Sequence, residues 1–106
     1  MEEITKKLEK ILNLRKNDSS EKSYVASLYN KGDEAILKKI IEEAGEVIMA
    51  VKDNQDDKII YEVADLYFHI LVLLSHKNIA TSKIVDELSR RFGLSGLEEK
   101  QSRIKK

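Results

Sequence analysis

No proline interrupts the 106-residue chain, and only four glycines do. An all-β domain of this size needs a turn about every 8–12 residues, and proline and glycine supply most such turns. This chain cannot punctuate a β-sandwich or a barrel. It is rich instead in Lys, Glu, Leu and Ile, which favour helices. The expected class is all-α: a small bundle of four to five helices forming a single domain over residues 1–106. Hydrophobic residues make up 42% of the chain, enough for a core and too many for wholesale disorder. A domain this small leaves much of its surface unburied, so assembly as a homodimer is a natural way to bury more.

The same counts exclude several functions. There is no cysteine, which rules out a disulfide scaffold, a thiolate metal site and a cysteine nucleophile, and fits a reducing, cytoplasmic location. Lys+Arg and Asp+Glu each total 19, so the basic excess of a nucleic-acid binder is missing. No apolar run reaches the ~18 residues of a membrane span. The charged N-terminus, MEEITKKLEK, is no secretory signal.

Apolar spacing divides the chain into helices. Ile4, Leu8, Ile11 and Leu12 form one stripe of a helix over 2–14. A polar loop over 15–22 leads to a short helix over 23–29. Gly32 suits the end of that helix, and Asp33 the cap of the next. The third helix, over 33–52, shows a continuous apolar face: Ile36, Leu37, Ile40, Ile41, Ala44, Val47, Ile48 and Val51. A turn at 53–56 precedes a fourth helix over 57–75. Its second half is apolar nearly all round apart from His69, which suits the centre of a bundle or a dimer interface. Thr81 suits the cap of a fifth helix over 82–92, and the polar stretch 94–106 reads as a mobile tail.

Two carboxylate clusters stand out. Glu42, Glu43 and Glu46 fall within an arc of about 100° on the third helix. Alone they read as a solvated acidic face. Glu62 and Asp65 lie on the fourth helix beside its apolar half, where an unpartnered charge is costly. Asp65 could be satisfied by His69 at i, i+4, or by a metal. Glu46 and Glu62 are nearly equidistant from the turn at Asn54-Gln55, so an antiparallel hairpin brings the two clusters to one height. Five carboxylates without a thiolate describe a hard-cation site, and Mg²⁺ is the expected ion. Such a site suits hydrolysis of a phosphoanhydride. Gly45, inside the first cluster, suggests a close helix crossing or the approach of a ligand.

The spacing Glu42-Glu43-x-x-Glu46 followed by Glu62-x-x-Asp65 resembles the motif of the all-α nucleoside triphosphate pyrophosphohydrolases. More of the chain is similar to their phosphoribosyl-ATP pyrophosphatase branch. Ahead of the acidic motif the similarity rests on Ser23-Tyr24, Leu28, Gly32 and Lys39. After it come Ala64-Asp65-Leu66, His69 and Val72-Leu73-Leu74, then Arg91, the run Ser95-Gly96-Leu97-Glu98-Glu99-Lys100, and Arg103. The resemblance implies Mg²⁺-dependent hydrolysis of phosphoribosyl-ATP to phosphoribosyl-AMP and pyrophosphate, the second step of histidine biosynthesis, by a homodimer. It implies a metal shell of Glu42, Glu43, Glu46, Glu62 and Asp65, with Glu43 or Glu46 acting on water. Arg15, Ser23, Tyr24, Lys39, Lys100 and Arg103 become candidates for substrate binding, and His69 for orienting Asp65. Lys39 could equally pair with Glu43, and Ser23 could equally cap its helix. Two other readings share the acidic motif or the fold: a house-cleaning pyrophosphohydrolase of non-standard nucleotides, and a non-catalytic helical interaction module.

Overall fold

A computed structural model describes residues 2–92. Five α-helices run in chain order: α1 Glu2–Leu14, α2 Tyr24–Lys31, α3 Asp33–Lys52, α4 Asp56–His76 and α5 Thr81–Arg90. Among the described residues there is no strand. The expected tail, with Lys100 and Arg103, lies outside them.

The α3–α4 hairpin is the spine of the fold. Ile36, Ile40, Glu43, Val47 and Ala50 recur at helical spacing along the inner face of α3, and Ile36, Glu43 and Ala50 are buried. The hairpin is tied at both ends. Lys58 pairs with Asp53 at 3.6 Å across the turn. At the open end Asp33, on the first turn of α3, meets Lys77 at 2.9 Å and His76 at 3.0 Å. Lys77 holds the Asp33 carboxyl below its ordinary value. His76 also stacks on Tyr29 of α2.

The core sits where α1 and α2 close on this hairpin. Leu12, Val25, Leu28, Ile36, Leu71 and Val72 form its buried cluster. Polar side chains fix the same seam. The Tyr29 hydroxyl donates to the Leu12 carbonyl at 3.1 Å, and Ser75 donates to Asn13 at 2.6 Å. Thr5 and Tyr67 share a 3.0 Å hydrogen bond.

Four expectations about helix faces and caps need correction. The α1 stripe is only partly internal: Leu12 is buried, while Ile4 and Ile11 stay exposed. The inward positions are Thr5, Leu8 and Leu12, spaced i, i+3, i+7. The continuous apolar face of α3 is in fact two faces about 100° apart. One is the buried inner face. The other, Leu37, Ile41, Ile48 and Val51, is open to solvent. Asp33 does not cap α3; that position belongs to Gly32, whose φ of 91° is a conformation that side-chain-bearing residues rarely adopt. Nor does Thr81 cap α5. It is the first residue of the helix, and its backbone N–H is served from α1 by the Glu9 carboxylate at 2.6 Å.

By length and composition α4 is apolar enough to cross a membrane, against the expectation of no such stretch. Core helices share that composition, and here Leu71 and Val72 are buried in the cluster.

Candidate active site

The carboxylates meet on facing stripes of the hairpin. On α4, Glu62, Asp65, His69 and Val72 recur at i, i+3, i+7, i+10, which is one face of a helix. Glu43 faces this stripe from α3. It is only 6% exposed, a rare state for a carboxylate without a partner. Lys39, one turn earlier, supplies that partner at 3.1 Å and reaches the exposed Glu42 at 3.5 Å. The bond to Glu43 in turn raises the Lys39 pKa. The i, i+4 ion pair of Lys39 with Glu43 is formed.

Glu43, Asp65 and His69 offer ligand atoms that all lie within 4.8 Å of one another. Glu62 joins this group electrostatically. Partial desolvation raises its pKa, and Glu46, Glu43 and Asp65 push it further up. Glu46 is the charge that acts most strongly on Glu62, in keeping with their similar distances from the turn. A divalent cation suits this set, because it would relieve the repulsion that now protonates Glu62 more readily. Burial raises the Tyr24 pKa, and the charges of Asp65, Glu43 and Glu42 add to that rise.

His69 is placed by two hydrogen bonds. Its Nδ1 lies 2.8 Å from the Asp65 main-chain oxygen and 3.4 Å from the Asp65 carboxylate. The expected bond to the carboxylate is thus the longer of the two. A carbonyl only accepts, so Nδ1 carries hydrogen and, with the ring neutral, Nε2 accepts from the Tyr24 hydroxyl at 2.8 Å. Both ring nitrogens are engaged. His69 is thereby fixed between the Asp65 turn of α4 and the Tyr24 hydroxyl.

The α2 candidates divide. Ser23 caps its own helix, accepting from the Ala26 N–H at 3.1 Å. Tyr24 enters the site through His69. Its pKa is raised, chiefly by desolvation, against the lowering effect of Lys39. Arg15 pairs with Asp18 at 3.0 Å and lines a cleft that also touches Tyr24. The Tyr24–His69 bond joins residues 45 positions apart and had no signal in sequence spacing.

Residues 5–92 match the family model for phosphoribosyl-ATP pyrophosphohydrolase. A phosphoribosyl-ATP pyrophosphatase of Vesicomyosocius okutanii is 64% identical over 103 residues, covering 97% of this chain and 98% of its own length. The enzyme of that name from Hydrogenovibrio crunogenus is 54% identical, covering 97% and 95%. That from Neisseria gonorrhoeae is 55% identical, covering 84% and 83%. The chain belongs to the phosphoribosyl-ATP pyrophosphohydrolase family.

Proposed function

We propose that this protein hydrolyses phosphoribosyl-ATP between its α and β phosphates, giving phosphoribosyl-AMP and pyrophosphate, in the cytoplasmic second step of histidine biosynthesis. The observation that carries this reading is the convergence of Glu43, Asp65 and Glu62 in a chain 64% identical to a relative bearing that enzyme's name. Mg²⁺ is the proposed ion, held by Glu43, Glu62 and Asp65 with Glu42 and Glu46 at the margins. Bound there, it would neutralise phosphate charge and polarise the bond to be broken.

The protein's own groups divide the remaining work. Glu43 is buried and anchored by Lys39, which suits a fixed ligand. Glu46 is exposed beside Glu62, which suits taking a proton from the attacking water. Lys39 holds Glu43 and can lend a proton-rich ammonium to a phosphate oxygen. His69 keeps the Asp65 turn in register through its Nδ1–H.

The acting unit is a homodimer in this reading. Leu37, Ile41 and Ile48 on α3 and Ile60 and Val63 on α4 are all exposed, and apolar stripes left open in this way mark association surfaces.

The test is pyrophosphate release from phosphoribosyl-ATP with and without Mg²⁺, beside a panel of ordinary and modified nucleoside triphosphates. Mg²⁺-dependent release favouring phosphoribosyl-ATP is expected. Preference for a modified triphosphate would move the protein to the house-cleaning reading, and silence on every substrate to the interaction module. Glu46→Gln should lose turnover and keep its affinity for the metal, whereas Glu43→Gln should lose both.

A further inference from the structure

Beside the acidic site lies a cleft of about 380 Å³, walled by α1, the turn after it, and the start of α2. That volume is within the range of small-molecule sites. Leu8, Ile11 and Val25 give it an apolar floor, and Tyr24 and Phe68 give it aromatic walls. Arg15 and Lys22 stand at its rim. Tyr24 is the wall it shares with the carboxylates: the residue is 51% exposed, while its hydroxyl holds His69.

The hydrolysis proposed above makes no use of this cleft. The triphosphate belongs with the carboxylates and their cation. Phosphoribosyl-ATP, however, has a second anionic end, the 5′-phosphate of a ribose joined to the purine. A flat base suits aromatic walls, and a phosphate suits a guanidinium fork with an ammonium beside it.

We propose that the cleft between α1 and α2 receives the phosphoribosyl end of the substrate, with Tyr24 and Phe68 flanking the base and Arg15 and Lys22 holding the distal phosphate. This assignment rests on the proposed activity and adds its specificity: the cleft distinguishes phosphoribosyl-ATP from ATP, which lacks that phosphate. Arg15 is already oriented at the rim by Asp18, an exposed pair that a phosphate dianion outcompetes. Through Tyr24, filling the cleft also bears on His69 and the Asp65 turn, so recognition and chemistry share one side chain.

The experiment compares Arg15→Ala and Lys22→Ala with the unaltered protein on phosphoribosyl-ATP. ATP and ribose 5-phosphate serve as competing inhibitors. Each substitution should raise KM for phosphoribosyl-ATP about 10- to 100-fold, the loss expected for one charged hydrogen bond, with a much smaller change in kcat. The inhibition constant of ATP should stay the same, and inhibition by ribose 5-phosphate should disappear. Arg15→Lys should recover part of the affinity. An unchanged KM, or a parallel loss for ATP, would overturn the cleft's role while leaving the activity standing. An unaltered protein that releases no pyrophosphate from phosphoribosyl-ATP would overturn both.

Discussion

Replacing Gly45 by alanine should stabilise the protein. Gly45 sits mid-helix in α3, between the buried Glu43 and the exposed Glu46. A Cβ built there meets nothing within 4 Å. Of the two readings of this glycine, a close helix crossing is not made among the described residues. Glycine costs about 1 kcal/mol against alanine in a helix interior, because its unfolded backbone has more freedom to lose. With no clash to offset it, that whole amount should appear as added stability. A domain of this size unfolds with an entropy of about 0.2 kcal/mol per kelvin, so Tm should rise by about 5 °C. The assay is thermal unfolding followed by circular dichroism in EDTA, at several protein concentrations. An unchanged or lowered Tm at every concentration would refute the reasoning. Turnover measured on the same sample shows what the glycine is for. A stabler but slower enzyme means that substrate passes over the open backbone at residue 45.

Three further outcomes follow from the described contacts. Tyr24→Phe removes the donor to the buried His69 Nε2 and should cost about 1–3 kcal/mol, read by urea unfolding, with a fall in kcat. Glu62→Gln should raise Tm at neutral pH without divalent ions and shrink the gain that Mg²⁺ brings. The Glu62 pKa lies above its ordinary 4.5, so its contribution is full below that value and is lost as pH rises through the raised one. In EDTA, Tm of the unaltered protein should consequently fall more over that interval than Tm of the variant. Glu9→Ala removes the only side chain seen serving the α5 N-terminus among the described residues. It should cost about 0.5–2 kcal/mol and speed hydrogen exchange at the Thr81 amide.

Helix boundaries were legible because they follow local rules. α3 matches the spacing-based range, and α4 differs from it by one residue at each end. The meeting of the acidic clusters was legible too, since equal distances from a tight turn put Glu46 and Glu62 at one height. Orientation was not. Ile36 and Ile41 are the same residue type five positions apart, yet one is fully buried and the other 74% exposed. Only the placement of α4 and α2 separates them. Long-range polar partners escaped for the same reason. Glu9 and Thr81 meet across 72 positions, and no periodicity links a carboxylate on α1 to an amide on α5. Ser23 could not be assigned from sequence because capping and ligand binding ask for the same residue type.

Gly32 has a consequence for how the length of such a chain can change. It ends α2, donating its N–H to the Leu28 carbonyl, and its own carbonyl already accepts from the Ile36 N–H of α3. The two helices thus share one residue and have no slack between them. A single insertion there would have to be absorbed by turning α3 about 100°, the step of one helical residue. That turn would carry Glu43 off the face of Asp65 while Tyr24 stayed behind. The exposed polar stretch 18–22 ahead of α2 carries no such constraint, since loop tips absorb added residues. Insertions and deletions among relatives should gather in that stretch, and the spacing from Tyr24 to Glu43 should stay constant.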